Sequence, residues 1–329
     1  MAYLELAYFK IVFIGGKYRM LKYKKFIIKL KLLDSTTLPK YKGITLRGGF
    51  GNIFKSIACI QKAIDCKDCI LTGSCIYRKI FDSPRPQNTT KMTKYPYIPH
   101  PFIIFSQNHE TSFDNGDILD FGLVLLGSYI ENLPFFVYTF IKLGEIGLGK
   151  NRAKFEVISV RDEDVELFDK SRKTINPFVK DPSFLSVEKI SSLKDNKLKK
   201  LKIDFLSPLS LRFEGKTVLL PHFHILIRNI LRRISLLEFF YGEPSFDSSF
   251  IIKCINESFE VKILENNTYL ENLKRFSGRQ KKLINHIGLV GDITFSNVPN
   301  NLAYLIDSAK DISIGRNTSF GFGMYVTDF

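Results

Sequence analysis

The feature of this sequence that most limits its fold is an internal repeat separated by about half of the chain. The segment EIGLGKNRAKFEV at 145–157 resembles DISIGRNTSFGFGMYV at 311–326. Gly149 of the first copy corresponds to Gly315 of the second, and each is followed by a basic residue and an asparagine. A helix-like run precedes each copy and a strand-like run follows its glycines. This self-similarity indicates a duplicated structural unit.

The elements that precede the two copies also correspond. Each half opens with a strand-like segment, KKFIIKLKLL in the first and LKIDFLSPLSLRF in the second. A helix-like segment follows in each half, at 46–64 and at 223–240. Two further strands, a second helix and a final strand complete the order β-α-β-β-α-β in both halves. We therefore predict an α+β protein of tandem ferredoxin-like (RRM-like) domains, in which two helices cover one face of each antiparallel sheet.

The same pattern predicts the domain boundaries. We expect an N-terminal domain at 1–165 with a cysteine-containing insertion at 59–94, and a C-terminal domain with the glycine-rich loop at 201–329. The charged segment 166–200 has no clean periodicity, so we predict a linker with a peripheral helix.

Charge and hydropathy narrow the classes of partner. The chain has 48 Lys and Arg against 33 Asp and Glu, a net charge of +15. This surplus favours a polyanionic partner, nucleic acid before an acidic membrane; the lysine-rich surface of a thermophile or of an AT-rich genome is the alternative. The apolar stretches are shorter than the ~20 residues of a membrane span, and the N-terminus lacks a basic leader. The sequence predicts a cytoplasmic protein without a membrane partner.

Basic residues recur in patterns that suit RNA. Arg228 and Arg232 stand at i and i+4 of a helix-like segment, where they form either a solvated face or a cationic ridge beside a groove. In KRFSGRQKK, at 274–282, guanidiniums suit phosphates and the glutamine suits a base edge or a 2′-hydroxyl. The predicted RNA-binding residues are Arg47, Lys55, Arg228, Arg232, Arg275, Arg279, Gln280, Lys281, Lys282, Gly315, Arg316, Asn317, Gly321 and Gly323.

In order along the chain, these motifs resemble a known family. LPKYKGITLRGGFGNIFKSIAC, CKDCILTGSCIYRKIF and LGEIGLGKNRAKFEV are similar to the front half of the CRISPR precursor-RNA processing endoribonucleases, the sixth Cas family of the RAMP superfamily. RNILRRISLLEFFYG, RFSGRQ…HIGLVGDITF and SIGRNTSFGFG are similar to its back half. The resemblance implies a positively charged cleft that binds CRISPR repeat RNA (precursor crRNA). The resemblance also leaves two further partners open: other Cas proteins, and a second copy of the chain in a homodimer.

The resemblance also implies a cut that requires no metal or other cofactor. In that reaction the 2′-hydroxyl of the RNA attacks the adjacent phosphate and leaves a 2′,3′-cyclic phosphate and a 5′-hydroxyl. A base takes the 2′ proton, an acid protonates the leaving 5′-oxygen, and cations stabilise the extra negative charge.

The residue that moves the proton is the point where this chain departs from the family. Members often carry a histidine after a GAFG-like run, where this chain has Asn52, and asparagine cannot shuttle a proton. We predict His224 as the acid or base, with His222 and His286 behind it, because histidine titrates near neutral pH. His222 and His224 stand where a helix N-terminus favours anions. Because of this departure, the alternative is that the chain is a non-catalytic RAMP subunit of a CRISPR effector complex.

The cysteines raise a separate question. Cys59, Cys66, Cys69 and Cys75 have the spacing C-x6-C-x2-C-x5-C. Four thiolates could hold a structural Zn²⁺ that staples the insertion; a disulfide and free thiols are the alternatives. A nucleotide-binding enzyme is disfavoured, because the chain has neither GxxxxGK[ST] nor a GxGxxG between a strand and a helix.

Overall fold

The computed structural model describes residues 21–62, 64–176, 181–184, 196–243, 247–277 and 282–329. Within these ranges the α-helices are α1 (Gly43–Ala58), α2 (Leu133–Ile146), α3 (Phe223–Tyr241), α4 (Ser248–Ser258) and α5 (Asn300–Ser308). The longer strands are β1 (Lys22–Leu32), β2 (Phe102–Phe105), β3 (Ile118–Leu126), β4 (Phe155–Asp162), β5 (Lys197–Leu209), β6 (Lys262–Asn266), β7 (Tyr269–Ser277), β8 (Lys282–Pro299) and β9 (Tyr325–Asp328). Two-residue strands lie at Thr36–Thr37, Ser112–Phe113, Val165–Glu166, Phe168–Asp169, Thr174–Ile175, Ser183–Phe184, Arg212–Phe213 and Lys216–Thr217.

The first half of the chain forms one antiparallel sheet in the order β2-β3-β1-β4. Strand β1 is central: its Ile28 lies opposite Phe121 of β3 and opposite Val160 of β4. Alternate residues of β1, such as Phe26, Ile28 and Leu30, are fully buried in one core with residues of α1 and α2. This is the strand order that a β-α-β-β-α-β chain adopts when both helices cover one face.

The second half repeats this topology. Its sheet has the order β6-β8-β5-β9, and the long strand β8 also pairs with β7. Ile203 of β5 lies opposite Ile293 of β8 and opposite Thr327 of β9. Helices α3 and α5 pack on this sheet, and α4 is an addition between α3 and β6. The predicted tandem ferredoxin-like fold is confirmed.

The two halves share a buried interface, because the first sheet is covered on both faces. In β2, Phe102 and Ile104 belong to the core with α1 and α2, whereas Ile103 and Phe105 belong to the core of the C-terminal half. A strand that is buried on both faces has apolar residues at every position, whereas a strand with one exposed face alternates apolar and polar residues. The interface fixes which loops of the two halves meet.

The segment between the two sheets is only partly described. A small hairpin pairs Phe168–Asp169 with Thr174–Ile175, and Ser183–Phe184 pairs with the start of β1. Strand β5 begins at Lys197, four residues before the predicted start of the second domain. The predicted peripheral helix falls on residues outside the described ranges, and the domain boundaries stay a prediction. No helix in the described part of the chain is long and apolar enough to cross a membrane.

Candidate nucleic-acid interface

The second copy of the repeat forms a glycine-rich loop (residues 309–324) that packs against the N-terminal half. A Cβ atom added to Gly43, the first residue of α1, would lie 2.2 Å from the carbonyl oxygen of Phe320. A Cβ atom added to Gly321 would lie 2.8 Å from the carbonyl oxygen of Ile104 in β2. Backbones approach this closely only where no side chain intervenes. The glycines therefore bring the loop to the junction between the halves.

This packing corrects one part of the predicted RNA contact. Gly321 and Gly323 are buried, and their N–H groups donate to the carbonyl oxygens of Thr318 and Pro208. Their backbone donors are thus engaged inside the protein, so these two glycines pack instead of binding phosphate. Arg316 is exposed, whereas Gly315 and Asn317 are half-buried.

The loop holds one of the predicted histidines. His286 of β8 is half-buried, and the side-chain nitrogen of Asn317 lies 3.2 Å from its Nδ1. The imidazole ring stands edge-on to Phe322, with centroids 5.5 Å apart. A hydrogen bond at one ring nitrogen fixes the orientation of the other. The structure therefore brings His286 to Asn317, whose chain neighbour Arg316 is exposed.

Beside this loop lies a cluster that the sequence analysis did not single out. Tyr41, which precedes α1, shares a small buried hydrophobic cluster with Val290 of β8 and Phe322 of the loop. Its hydroxyl donates to Glu271 Oε2 of β7 at 2.5 Å, and the ammonium of Lys40 lies 3.3 Å from the same oxygen. Burial and the adjacent carboxylate raise the pKa of the Tyr41 phenol, so it stays protonated.

The same cluster contains His109, in the loop between β2 and β3. Its ring stands edge-on to Tyr41, with centroids 5.4 Å apart. Partial desolvation, followed by the charges of Lys40 and Lys42, lowers the pKa of the exposed His109. The cluster joins residues 40–42 to positions 109 and 271, which are far away in sequence, so no sequence spacing could have predicted it.

Lys42 is the anchor of the His109 loop. Its side chain is fully buried, and the ammonium donates to the carbonyl oxygens of Asn108 at 2.7 Å and Glu110 at 2.6 Å. These two residues flank His109 on both sides. Burial lowers the pKa of Lys42 to about 8. The cost of burying this amine is offset by the bonds that hold the loop against α1.

Arg47 has a different place from the one predicted. Its guanidinium lies between the rings of Phe81 and Phe320, with its central carbon 4.5 Å and 4.1 Å from their centroids. One nitrogen of Arg47 lies 3.0 Å from Nε2 of His100, whose Nδ1 lies 3.1 Å from the hydroxyl of Ser83. The predicted RNA contact of Arg47 is therefore replaced by packing between the halves.

His100 gives this junction a pH dependence. Burial, then the charges of Arg47 and Arg233, hold the pKa of His100 well below its usual value. The unfolded chain takes up a proton near pH 6.5, whereas the folded protein does not. The contribution of His100 to stability is therefore complete above that pH and is lost as the pH falls toward its lowered folded pKa.

We expect the free energy of unfolding to decrease below pH ~6.5, by at most ~1.4 kcal/mol per pH unit from this group. Denaturant unfolding of the wild type and of His100→Gln between about pH 5 and pH 8 tests it. The variant removes only this titration, since His109 and His224 remain. The difference between the free energies of unfolding of the wild type and the variant should change with pH. If both free energies change with pH in parallel, the pH dependence does not come from His100.

His222 and His224, the other predicted histidines, lie at the start of α3. His224 is half-buried, stacks on Phe259 at 4.7 Å and stands edge-on to Phe213 at 5.5 Å. The Arg228 guanidinium lies 5.8 Å and 5.7 Å from the same two rings. Burial, then Arg228 and His222, lower the pKa of His224. This group is thus built from α3, the 212–217 hairpin and the end of α4.

The remaining predicted cations are dispersed over the surface. Arg232 is exposed and lines a surface depression with Lys91 and Lys94. Arg228 is half-buried against aromatic rings, so the two arginines of α3 lie in different surroundings. Lys55 on α1 and Lys282 at the start of β8 are exposed. Arg275 belongs to β7, opposite Ile284 of β8, and the structure does not describe Arg279, Gln280 and Lys281.

The four cysteines of the insertion are the predicted zinc ligands. Cys59, Cys66, Cys69 and Cys75 are each half-buried, and none forms a disulfide. In the described ranges, no three residues among His, Cys, Asp and Glu are grouped so that they could hold a metal ion. The disulfide alternative finds no support in this geometry, and the structural zinc stays a prediction.

Comparisons with known proteins bear on the chain as a whole. Residues 203–325 match the family model of CRISPR-associated endoribonuclease Cas6, and residues 20–179 match a model described as an N-terminal domain. An uncharacterized protein of Archaeoglobus fulgidus is 26% identical over 295 residues, which cover 88% of this chain and 92% of that protein.

Solved structures share the fold over almost the whole chain. A Cas6 product complex aligns with a TM-score of 0.55 at 14% identity, covering 93% of this chain and 99% of that one. Cas6 of Thermus thermophilus aligns with a TM-score of 0.52 at 11% identity, covering 95% and 100%. A partial Cas6-RT-Cas1–Cas2 complex aligns with a TM-score of 0.54 at 11% identity, and the alignment covers 94% of this chain and 46% of that chain. The C-terminal half of the chain therefore matches the Cas6 family model, and the chain as a whole has the fold of solved Cas6 structures.

Proposed function

We propose that this protein binds CRISPR repeat RNA and cuts it without a metal ion, by attack of the RNA's own 2′-hydroxyl. The observation that carries the proposal is the match of residues 203–325 to the endoribonuclease Cas6 family. The matched region contains His286 and the glycine-rich loop, which meet at the junction of the two halves. The net charge of +15 supports a polyanionic substrate.

In this reaction the chain has to supply a base, an acid and cations. The base takes the 2′ proton, the 2′-oxygen bonds to phosphorus, and the bond from phosphorus to the 5′-oxygen breaks as the acid protonates that oxygen. Cationic side chains stabilise the negative charge that develops on the phosphate. The exposed Arg316 beside His286 suits that last role.

Of the three predicted histidines, His286 is the one this proposal uses. It is oriented by Asn317 and lies beside a cation that RNA can reach. His224 stacks on Phe259 and against Phe213, which favours a packing role at the start of α3. Asn52 lies exposed on α1 and cannot transfer a proton. One further proton-transfer group is therefore needed.

The mechanism predicts a specific dependence on the substrate. Repeat RNA should be cut in excess EDTA and leave a 2′,3′-cyclic phosphate, whereas RNA with a single 2′-deoxy nucleotide at the scissile position should bind equally well and stay intact. Gel analysis of both RNAs and end-group analysis of the product provide the measurement. Equal cutting of the deoxy RNA, or loss of cutting in EDTA, would show the mechanism to be wrong.

A non-catalytic RNA-binding subunit is the second candidate, and Asn52 is the observation that favours it. Such a protein would bind repeat RNA with a log–log salt slope of about −0.7 per phosphate contacted on a single strand, yet release no product. The solved neighbour that contains Cas1–Cas2 makes assembly with other Cas proteins part of this proposal. A homodimer stays a prediction.

A further inference from the structure

Two histidines, one from each half, flank one small buried cluster at the junction. Tyr41, Val290 and Phe322 form this hydrophobic cluster. His109 stands edge-on to Tyr41 at 5.4 Å, and His286 stands edge-on to Phe322 at 5.5 Å. The cluster of Tyr41, Val290 and Phe322 therefore has an imidazole against each of its two aromatic residues.

His109 is held in place although its side chain is exposed. The buried Lys42 bonds the carbonyl groups on both sides of it. Within the loop, the Asn108 side chain accepts from the N–H of Glu110 at 2.8 Å, and the Ser106 hydroxyl accepts from the N–H of Asn108 at 3.3 Å. A restrained loop that presents an exposed imidazole fits a group that has to meet a substrate.

The other titratable groups of this cluster are already committed. The Tyr41 phenol stays protonated and donates to Glu271, which also pairs with Lys40. Lys42 is buried with two bonds to carbonyl groups. His109 faces Lys40, Lys42, Glu271 and the backbone of Leu206, and its balance of burial and charge favours the neutral imidazole near pH 7. A neutral imidazole can accept a proton.

We propose that His109 is a catalytic residue that works opposite His286 on the scissile phosphate. The 2′-hydroxyl proton passes to an imidazole nitrogen of His109, and the 2′-oxygen bonds to phosphorus. As the bond between phosphorus and the 5′-oxygen breaks, that oxygen takes a proton from the protonated ring of His286. The exposed Arg316, next to Asn317, stabilises the developing charge. The inference rests on the proposed function. It names a residue that can transfer a proton, which Asn52 cannot do.

The test compares His109→Ala with Gln107→Ala, an exposed residue of the same loop. Under single-turnover conditions with saturating repeat RNA, His109→Ala should lower the cleavage rate by at least ~100-fold. Its RNA affinity and its melting temperature should stay close to those of the wild type, and Gln107→Ala should cut normally. Added imidazole should restore part of the rate of His109→Ala, and the acidic limb of the pH–rate profile should flatten in this variant.

The outcomes separate the two proposals. If the wild type binds repeat RNA and releases no product, both the endonuclease function and the role of His109 are wrong. If the wild type cuts and His109→Ala cuts at the same rate, the function stands and the role of His109 is wrong. A slow variant that imidazole leaves unchanged and whose pH profile keeps its acidic limb would likewise contradict a proton-transfer role.

Discussion

Replacement of Gly323 by alanine should destabilise the protein by more than about 3 kcal/mol, the largest single effect we expect on stability. Gly323 has a φ of +69°, and an added Cβ would lie 1.7 Å from the carbonyl oxygen of Ile314. That oxygen belongs to the backbone and cannot rotate away. The N–H of Gly323 donates to the carbonyl of Pro208, and its own carbonyl accepts from the N–H of Ile314. A shift that relieves the clash would break these bonds.

Gly215 offers a matched control for this experiment. Its φ is +76°, close to that of Gly323, but an added Cβ would meet no atom within 4 Å. Alanine at either position carries the left-handed backbone cost of ~1–2 kcal/mol, and only Gly323→Ala adds a collision. Urea unfolding of both variants measures the difference. Similar losses for the two variants would show that the glycine-rich loop is not packed as described.

Arg47→Ala should lower the free energy of unfolding by about 2–4 kcal/mol. The variant removes a guanidinium that lies between Phe81 of the N-terminal half and Phe320 of the glycine-rich loop. It also leaves His100 without the group at 3.0 Å from its Nε2. The loss combines two cation–π contacts, a partly buried hydrogen bond and the side-chain volume removed between the halves.

Lys55→Ala is the control for Arg47→Ala, because Lys55 is a cation on the exposed face of the same helix. We expect its effect to stay within ~0.5 kcal/mol. Arg47→Lys should recover only part of the loss, since an ammonium cannot stack between two rings as a planar guanidinium does. Equal stabilities of Arg47→Ala and Lys55→Ala would instead support the original prediction that Arg47 serves as a surface contact for RNA.

The candidate site was predictable only in part. His286 and Asn317 were both predicted from their motifs, and the structure places their side chains 3.2 Å apart. Arg47 was predicted to bind RNA, but its guanidinium lies between rings that are 34 and 273 positions away in sequence. Gly321 and Gly323 were read as phosphate contacts, and their N–H groups are used within the protein. The local sequence around a residue does not show whether a segment far away in the chain will bury it.

The sequence by itself determined the duplicated β-α-β-β-α-β order, the surplus of positive charge and the match of its C-terminal half to the Cas6 family model. These features depend on periodicity and composition, which are properties of short stretches of chain. Only the tertiary structure decided that the first sheet is buried on both faces and that the glycine-rich loop closes against it. It also brought His109, Tyr41 and Glu271 together. The physical reason is that burial and side-chain contact arise between residues far apart in sequence, where strand pairing and close packing select the partners.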